Sequence, residues 1–175
     1  MTDSLPVVYL SGLLIILGGL GVFVFSQVIK ARRLESTFGK LQKKLQNSKG
    51  TAKEYYQLGS IYLDKKLYSQ SVSLFQKALK ADAEVEPENR ALIYNAMGYA
   101  CFAQEQLDLA IRHYKDALKL YPDYVIALNN LANVYEKKQM VNKAVELYDQ
   151  TLAIEPTNKT ALRRAKALKK RLVET

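Results

Sequence analysis

Residues 92–122 read LIYNAMGYACFAQEQLDLAIRHYKDALKLYP, and residues 127–156 read ALNNLANVYEKKQMVNKAVELYDQTLAIEP. Laid over each other at an offset of 34, they pair Ala110 with Ala144, Tyr114 with Tyr148 and Pro122 with Pro156. Upstream, EYYQLGSIYLDKKLYSQSVSLFQKALKA at 54–81 fits the same pattern at an offset of 39, so five residues are inserted near AEVEPENR. A fixed period of this size marks a chain of stacked units, each too small to bury its own apolar face. The residue types say what the units are. Two antiparallel helices approach closely only where small residues meet, and Gly59, Gly98, Ala132, Ala78, Ala110, Ala117 and Ala144 supply them. Aromatic positions fill the remaining space between successive pairs. Pro122 and Pro156 end each second helix and set the turn into the next unit.

These positions resemble the tetratricopeptide repeat (TPR), whose pattern runs large residue, Leu-Gly, Tyr, Ala, aromatic, Ala and Pro. The second unit matches with Tyr94, Met97, Gly98, Cys101, Ala110, Tyr114, Ala117 and Pro122. The third matches with Leu128, Leu131, Ala132, Tyr135, Ala144, Tyr148, Thr151 and Pro156. The first supplies Tyr55, Leu58, Gly59, Tyr62, Ser71, Phe75, Ala78 and, in place of proline, Ala83. The turns within the units, Lys65-Lys66, Gln104-Glu105 and Lys138-Gln139, lack glycine. Residues 159–175 read as a basic capping helix, with Leu162, Ala165, Leu168 and Leu172 as its apolar stripe.

Ahead of the repeats, the uncharged run from Pro6 to Ile29 includes LLIILGGLGVFVFSQVI at 13–29. As a helix, residues 7–29 span roughly 34 Å, enough to cross a bilayer's hydrocarbon. A removable secretory signal would begin with positive charge and end at a small-x-small cleavage site. This chain begins Met-Thr-Asp-Ser and follows its run with Lys30, Ala31 and Arg32, so the segment reads as a retained anchor. Lys30, Arg32 and Arg33 lie after the span and only Asp3 before it, which orients the repeats to the cytoplasmic-type side. Residues 34–50 read as a helical neck: Leu34, Phe38, Leu41 and Leu45 share one face, with Lys40, Lys43 and Lys44 beside it. That stripe either packs on the first repeat or meets a surface or partner. Asn47 to Gly50 reads as a break.

The expected organisation is an all-α chain with one transmembrane helix, a three-repeat TPR solenoid and a capping helix. Its segments are a short exoplasmic or lumenal N-terminus at 1–6, the span at 7–29 and a basic neck at 30–50. TPR 1 follows at 51–85, an acidic insertion at 86–90, TPR 2 at 91–124, TPR 3 at 125–158 and the cap at 159–175. The formal charge of +9 would suggest a nucleic-acid partner if left undivided. Residues 51–158, however, hold twelve Lys/Arg against fourteen Asp/Glu. The excess is confined to the two ends, at Arg32, Arg33, Lys43 and Lys44 in the neck and Lys169, Lys170 and Arg171 in the cap. Basic residues beside a span face anionic headgroups, so lipid is the expected partner there and nucleic acid is not. The basic cap face reads as a solvated surface or as a contact for an acidic partner or lipid.

Catalytic and metal chemistry have little to work with. Cys101 and His113 are the single cysteine and histidine, which leaves no disulfide, no metal-ligand spacing and no nucleophile pair. The run Asp82, Glu84, Glu86, Glu88 lacks the spacing and turn glycine of a calcium loop. The expectation is a non-enzyme with no cofactor and no metal.

Binding remains. In TPR stacks the first helix of each pair lines a concave groove, at positions 2, 5, 9, 12 and 13 of the unit. The expected client-binding residues are Tyr56, Asn95, Tyr99, Phe102, Asn129 and Asn133: the amides to pair with an extended backbone, the rings to form apolar pockets. The alternative is that the groove packs the neck or the C-terminal tail. Chaperone-binding TPR domains carry a carboxylate clamp of Lys, Asn and Arg; the matching positions here hold Tyr56, Ser60, Ala96, Ile126 and Asn130, so no chaperone carboxylate is expected.

The short N-terminus, the span SLPVVYLSGLLIILGGLGVFVFSQVIKARR and three TPR units resemble the thylakoid-anchored TPR proteins of cyanobacteria and plastids that help assemble or stabilise photosystem I. That resemblance implies a single-pass thylakoid protein with its repeats on the cytoplasmic or stromal side and photosystem I subunits or assembly intermediates as partners. A membrane-anchored scaffold for protein export or envelope assembly would share the architecture.

Overall fold

The computed structural model describes residues 5–81 and 86–174. Asp82, Ala83 and Glu84, and most of the N-terminal tail, lie outside the described residues. The described chain is helical throughout and divides into two bodies, residues 1–46 and 47–175. The first body is α1, Leu5–Asn47. At 1.5 Å per residue its 43 residues extend about 65 Å, so span and neck form one unbroken helix. It is the one described helix long and apolar enough to cross a membrane.

The second body holds α2 (Ala52–Asp64), α3 (Tyr68–Ala81), α4 (Pro87–Ala103), α5 (Leu107–Leu120), α6 (Val125–Lys137), α7 (Val141–Ile154) and α8 (Lys159–Glu174). They form three antiparallel hairpins and a final helix, the TPR solenoid expected. Local chemistry sets the boundaries. Thr51 and Glu54 form a capping box: the Glu54 amide donates to Thr51 Oγ1 at 3.3 Å and the Thr51 amide to Glu54 Oε2 at 3.0 Å. Asn158 Oδ1 accepts from the Ala161 amide at 3.0 Å and starts α8. Over its described part, the insertion before unit two is exposed and is helical from Pro87 on. Pro87 takes the first helical position, with Glu88 favourably placed in the first turn, and α4 runs 17 residues against 13 for α2 and α6.

The turns within the hairpins are one structure used three times. Lys66, Glu105 and Gln139 hold φ of 60°, 61° and 59°, the left-handed region that glycine ordinarily fills. The next residue's amide then reaches back to close a Schellman motif, Leu67 to Tyr62 O at 2.8 Å, Gln106 to Cys101 O at 2.9 Å and Met140 to Tyr135 O at 2.8 Å.

The hairpins close on the expected small residues. A Cβ on Gly59 would lie 2.7 Å from Phe75 Cε1, and one on Gly98 2.7 Å from Tyr114. Phe75, Tyr114 and Tyr148 are buried, each worth about 1.5–3 kcal/mol as an apolar body removed from water. Ser71 stands where the other units have alanine, and its buried hydroxyl is satisfied by donating to Gly59 O at 2.8 Å. Thr151, at the third unit's counterpart of Ala117, has no partner for its buried hydroxyl among the described residues. The seam of α8 differs from the expected stripe: Ala161, Ala165 and Leu168 are buried, whereas Leu162 and Leu172 are exposed. Among the described helices, α8 packs on α7 and reaches α6 through Arg164 and Glu136, and Leu162 and Leu172 lie off that covered side.

Candidate client-binding groove

By register, α2, α4 and α6 carry the positions that face the groove, and each is held rigid by its partner helix. Tyr56 is half-buried, its ring 5.6 Å from that of Phe75. Tyr99 is 47 % exposed, and Ile126, one helix on, 56 %. Asn133 is exposed on α6. Phe102 is half-buried under Lys137, whose Nζ lies 5.4 Å from the ring centroid. The same ammonium pairs with Glu105 at 2.8 Å and holds that carboxyl below the usual carboxylate range. Solvent screens this exposed pair, so Lys137 is tethered but not immobilised.

The remaining asparagines are not simply presented to solvent. Asn95 is half-buried; its Oδ1 accepts from Asn130 Nδ2 at 3.0 Å, and its amide donates to the Tyr124 hydroxyl at 3.4 Å. Tyr124 stacks on Tyr121 at 5.5 Å, and burial raises its phenol pKa. Asn95 therefore ties unit two to unit three. Asn129 is half-buried, with its Oδ1 shielded and unpartnered among the described residues. Asn130 and Tyr124 were missed as network members because their contacts lie 35 and 29 residues from Asn95. Glu136, at a groove position, is engaged by Arg164 of α8 at 2.9 Å and, weakly, by the Tyr148 hydroxyl at 3.4 Å. The Tyr148 phenol is pushed up to about 12, chiefly by burial.

The basic residues fall into two groups. Arg32, Arg33, Lys43 and Lys44 are exposed on α1. On α8, Lys169 pairs with Asp149 of α7 at 2.7 Å, and Lys170 and Arg171 are exposed. Cys101 is buried in the core, where burial pushes its thiol up and disfavours a reactive thiolate. Among the described residues no three His, Cys, Asp or Glu side chains gather as a metal set.

The comparisons agree with this geometry. Tetratricopeptide-repeat family models match residues 51–123 and 102–169. The ycf37 protein of Cyanophora paradoxa is 41 % identical over 142 residues, covering 81 % of this chain and 82 % of that one. The chloroplastic tetratricopeptide repeat domain-containing protein PYG7 of Arabidopsis thaliana is 34 % identical over 94 % of this chain and 56 % of its own length. Among solved structures, the MamA protein superposes with a TM-score of 0.69 at 22 % identity, over 83 % of this chain and 80 % of that one, which speaks to the fold. TPR folds of this kind typically serve as non-enzymatic scaffolds for protein–protein interaction. The chain belongs to the ycf37 family of tetratricopeptide-repeat proteins.

Proposed function

We propose that the chain is a membrane-anchored scaffold of the thylakoid that holds photosystem I subunits or assembly intermediates and promotes their assembly or stability. In this proposal α1 anchors the protein once, and the repeats stand on the cytoplasmic or stromal side. The client lies in the concave groove, against Tyr99, Phe102, Asn129 and Asn133, with Tyr56 and Asn95 shaping its floor. Arg32, Arg33, Lys43 and Lys44 meet headgroups beside the span.

The observation that carries this reading is the exposure of Tyr99, Ile126 and Asn133 along first helices whose other faces are locked into the hairpins. Large apolar side chains on a rigid frame cost little entropy to engage, which suits them to capture a client. Kinship with chloroplastic relatives supports the compartment, and the family resemblance supports photosystem I.

The test is a pull-down from solubilised thylakoids with the tagged full chain. Tyr99→Ala with Ile126→Ser and Asn133→Ala should lower recovery of photosystem I subunits at least about tenfold, as loss of two apolar anchors and a hydrogen bond implies. Normal recovery from a variant that melts like the parent would remove the groove from the account. For the anchor, the protein should stay with membranes through carbonate extraction, and protease added from the stromal side should digest the repeats. Release into the wash, or protected repeats, would overturn the anchoring or its sidedness.

A further inference from the structure

Helix α8 begins 34 residues after α6, and three of its buried positions repeat those of α6. Ala161, Ala165 and Leu168 are 0, 3 and 2 % exposed, against 0, 3 and 1 % for Ala127, Leu131 and Val134. The two helices also bridge backwards from the same register position. Asn130 of α6 reaches Asn95 of α4, and Arg164, 34 residues later, reaches Glu136 of α6. Three positions differ: Leu162, Lys166 and Lys169 are exposed where Leu128, Ala132 and Tyr135 are buried. In unit two the counterpart of Lys166, Gly98, meets Tyr114 on the second helix of its own pair. Helix α8 is thus the first helix of a fourth unit with no described second helix against it, rather than a cap of unrelated design.

Its register puts it on the concave side. The positions that face the groove in α2, α4 and α6 fall in α8 on Thr160, Arg163, Ala167, Lys170 and Arg171. Along the first three helices the groove charges are Lys53, Asp64, Glu136 and Lys137, which cancel, and the last two are engaged by Arg164 and Glu105. At those positions α8 carries three cations, and the whole helix holds seven Lys/Arg against Glu174. A neutral, partly apolar trough therefore ends in a positive wall.

We infer that the groove extends onto α8 and takes an extended acidic segment of a client protein, with apolar side chains on Tyr99 and Ile126 and carboxylates at Arg163, Lys170 and Arg171. This rests on the groove reading above and narrows it to a client chemistry. The target is side-chain carboxylates along a segment, because the positions that would clamp a chain-terminal carboxylate hold Tyr56, Ser60, Ala96, Ile126 and Asn130. Guanidinium groups suit the task, since they grip carboxylates in two-point fashion. An acidic protein segment is favoured over a lipid surface because these cations share the concave face with Asn129 and Asn133.

The test uses the full chain in neutral detergent micelles and fluorescence anisotropy. The probe is a labelled, C-terminally amidated dodecapeptide with glutamates spaced among leucine, alanine and serine; its counterpart has glutamine at each glutamate. The acidic peptide should bind at least about tenfold more tightly than the glutamine peptide, and its affinity should fall with salt. Arg163→Glu with Lys170→Glu and Arg171→Glu should abolish the preference, whereas Lys166→Glu, on another face of α8, should keep it. If the triple variant melts early, Arg163→Gln alone is read, with a loss of about threefold expected. Equal binding of both peptides, binding of neither, or an unaffected charge-reversal variant would overturn the inference. So would α8-dependent binding of short-chain phosphatidylglycerol with neither peptide bound, which would assign the wall to lipid. If the Tyr99 variant loses photosystem I subunits while the α8 variant keeps them, the groove reading stands and the acidic-client inference falls.

Discussion

Asn130, on α6, donates a hydrogen bond from its side-chain amide to Oδ1 of Asn95, on α4, across 3.0 Å. The pair is half-buried and joins consecutive repeats at the floor of the groove. Asn95→Ala leaves the Asn130 amide without that acceptor, at a cost of about 0.5–1.5 kcal/mol. A chain of this length should then melt about 2–4 °C lower per kcal/mol lost. Asn130→Ala should cost a similar amount, and the double variant less than the sum, with a coupling of about 0.5–1.5 kcal/mol. Strict additivity in urea unfolding would show that the two amides do not interact in solution.

A second expectation concerns the close crossing in unit two. Gly98→Ala places a methyl 2.7 Å from the buried Tyr114 ring. Overpacking costs about 1–3 kcal/mol, and alanine's better helix propensity returns at most about 1. The net should be destabilising, and smaller in a Tyr114→Leu background. Unit three already carries Ala132 against Tyr148 by register, so Ala132→Gly should cost only the propensity difference, about 1 kcal/mol. A Gly98→Ala variant as stable as the parent would mean the ring gives way freely.

Much of this frame was legible from residue types alone. Gly59 and Gly98 mark the close crossings as expected, because tight crossings leave few residue choices, but they meet Phe75 and Tyr114 of their own hairpins rather than other small residues. Three features were not legible, for separate physical reasons. Asn95 was assigned to a client because register gives its face, whereas its bond to Asn130 depends on side-chain reach between helices 35 residues apart. Leu162 joined the α8 stripe because 3.6-residue periodicity finds an apolar face without saying which edge is covered. The acidic insertion at 86–90 carried no helix assignment, although proline at a helix's first position was the available signal.

The left-handed turn residues give a third test. Gln139 and Lys66 hold φ near 60°, where a Cβ costs about 1–2 kcal/mol. Glycine removes that strain but adds unfolded-state entropy worth about 0.5–1 kcal/mol. Gln139→Gly and Lys66→Gly should each come out neutral to about 1 kcal/mol more stable, and together raise the melting temperature. Glu105 is a poorer choice for this test because it also pairs with Lys137. Gln139→Ala keeps the Cβ and should bring no gain. Equal stabilisation by alanine and glycine would show that the φ is not the source.

The last expectation is a pH dependence from His113. Its ring lies near-parallel to Tyr94, with centroids 6.3 Å apart, and its Nδ1 is shielded and unpartnered among the described residues. Burial lowers its pKa; Asp116 pulls weakly the other way and Arg112 adds to the lowering. The folded chain therefore holds the imidazole neutral at a pH where the unfolded chain, titrating near 6.5, already takes up a proton. Because the unfolded state binds more protons in that window, stability rises with pH through it. It is complete above about 6.5 and is lost as pH falls towards the lowered folded value. Melting of the full chain in detergent should thus occur at lower temperature near pH 5.5 than near pH 7.5, above the range where carboxylates titrate. His113→Phe keeps an aromatic ring against Tyr94, cannot take the proton and removes the unpartnered nitrogen. It should flatten the curve between those pH values and be at least as stable as the parent at the lower one. A step that persists in His113→Phe would place the proton on another group.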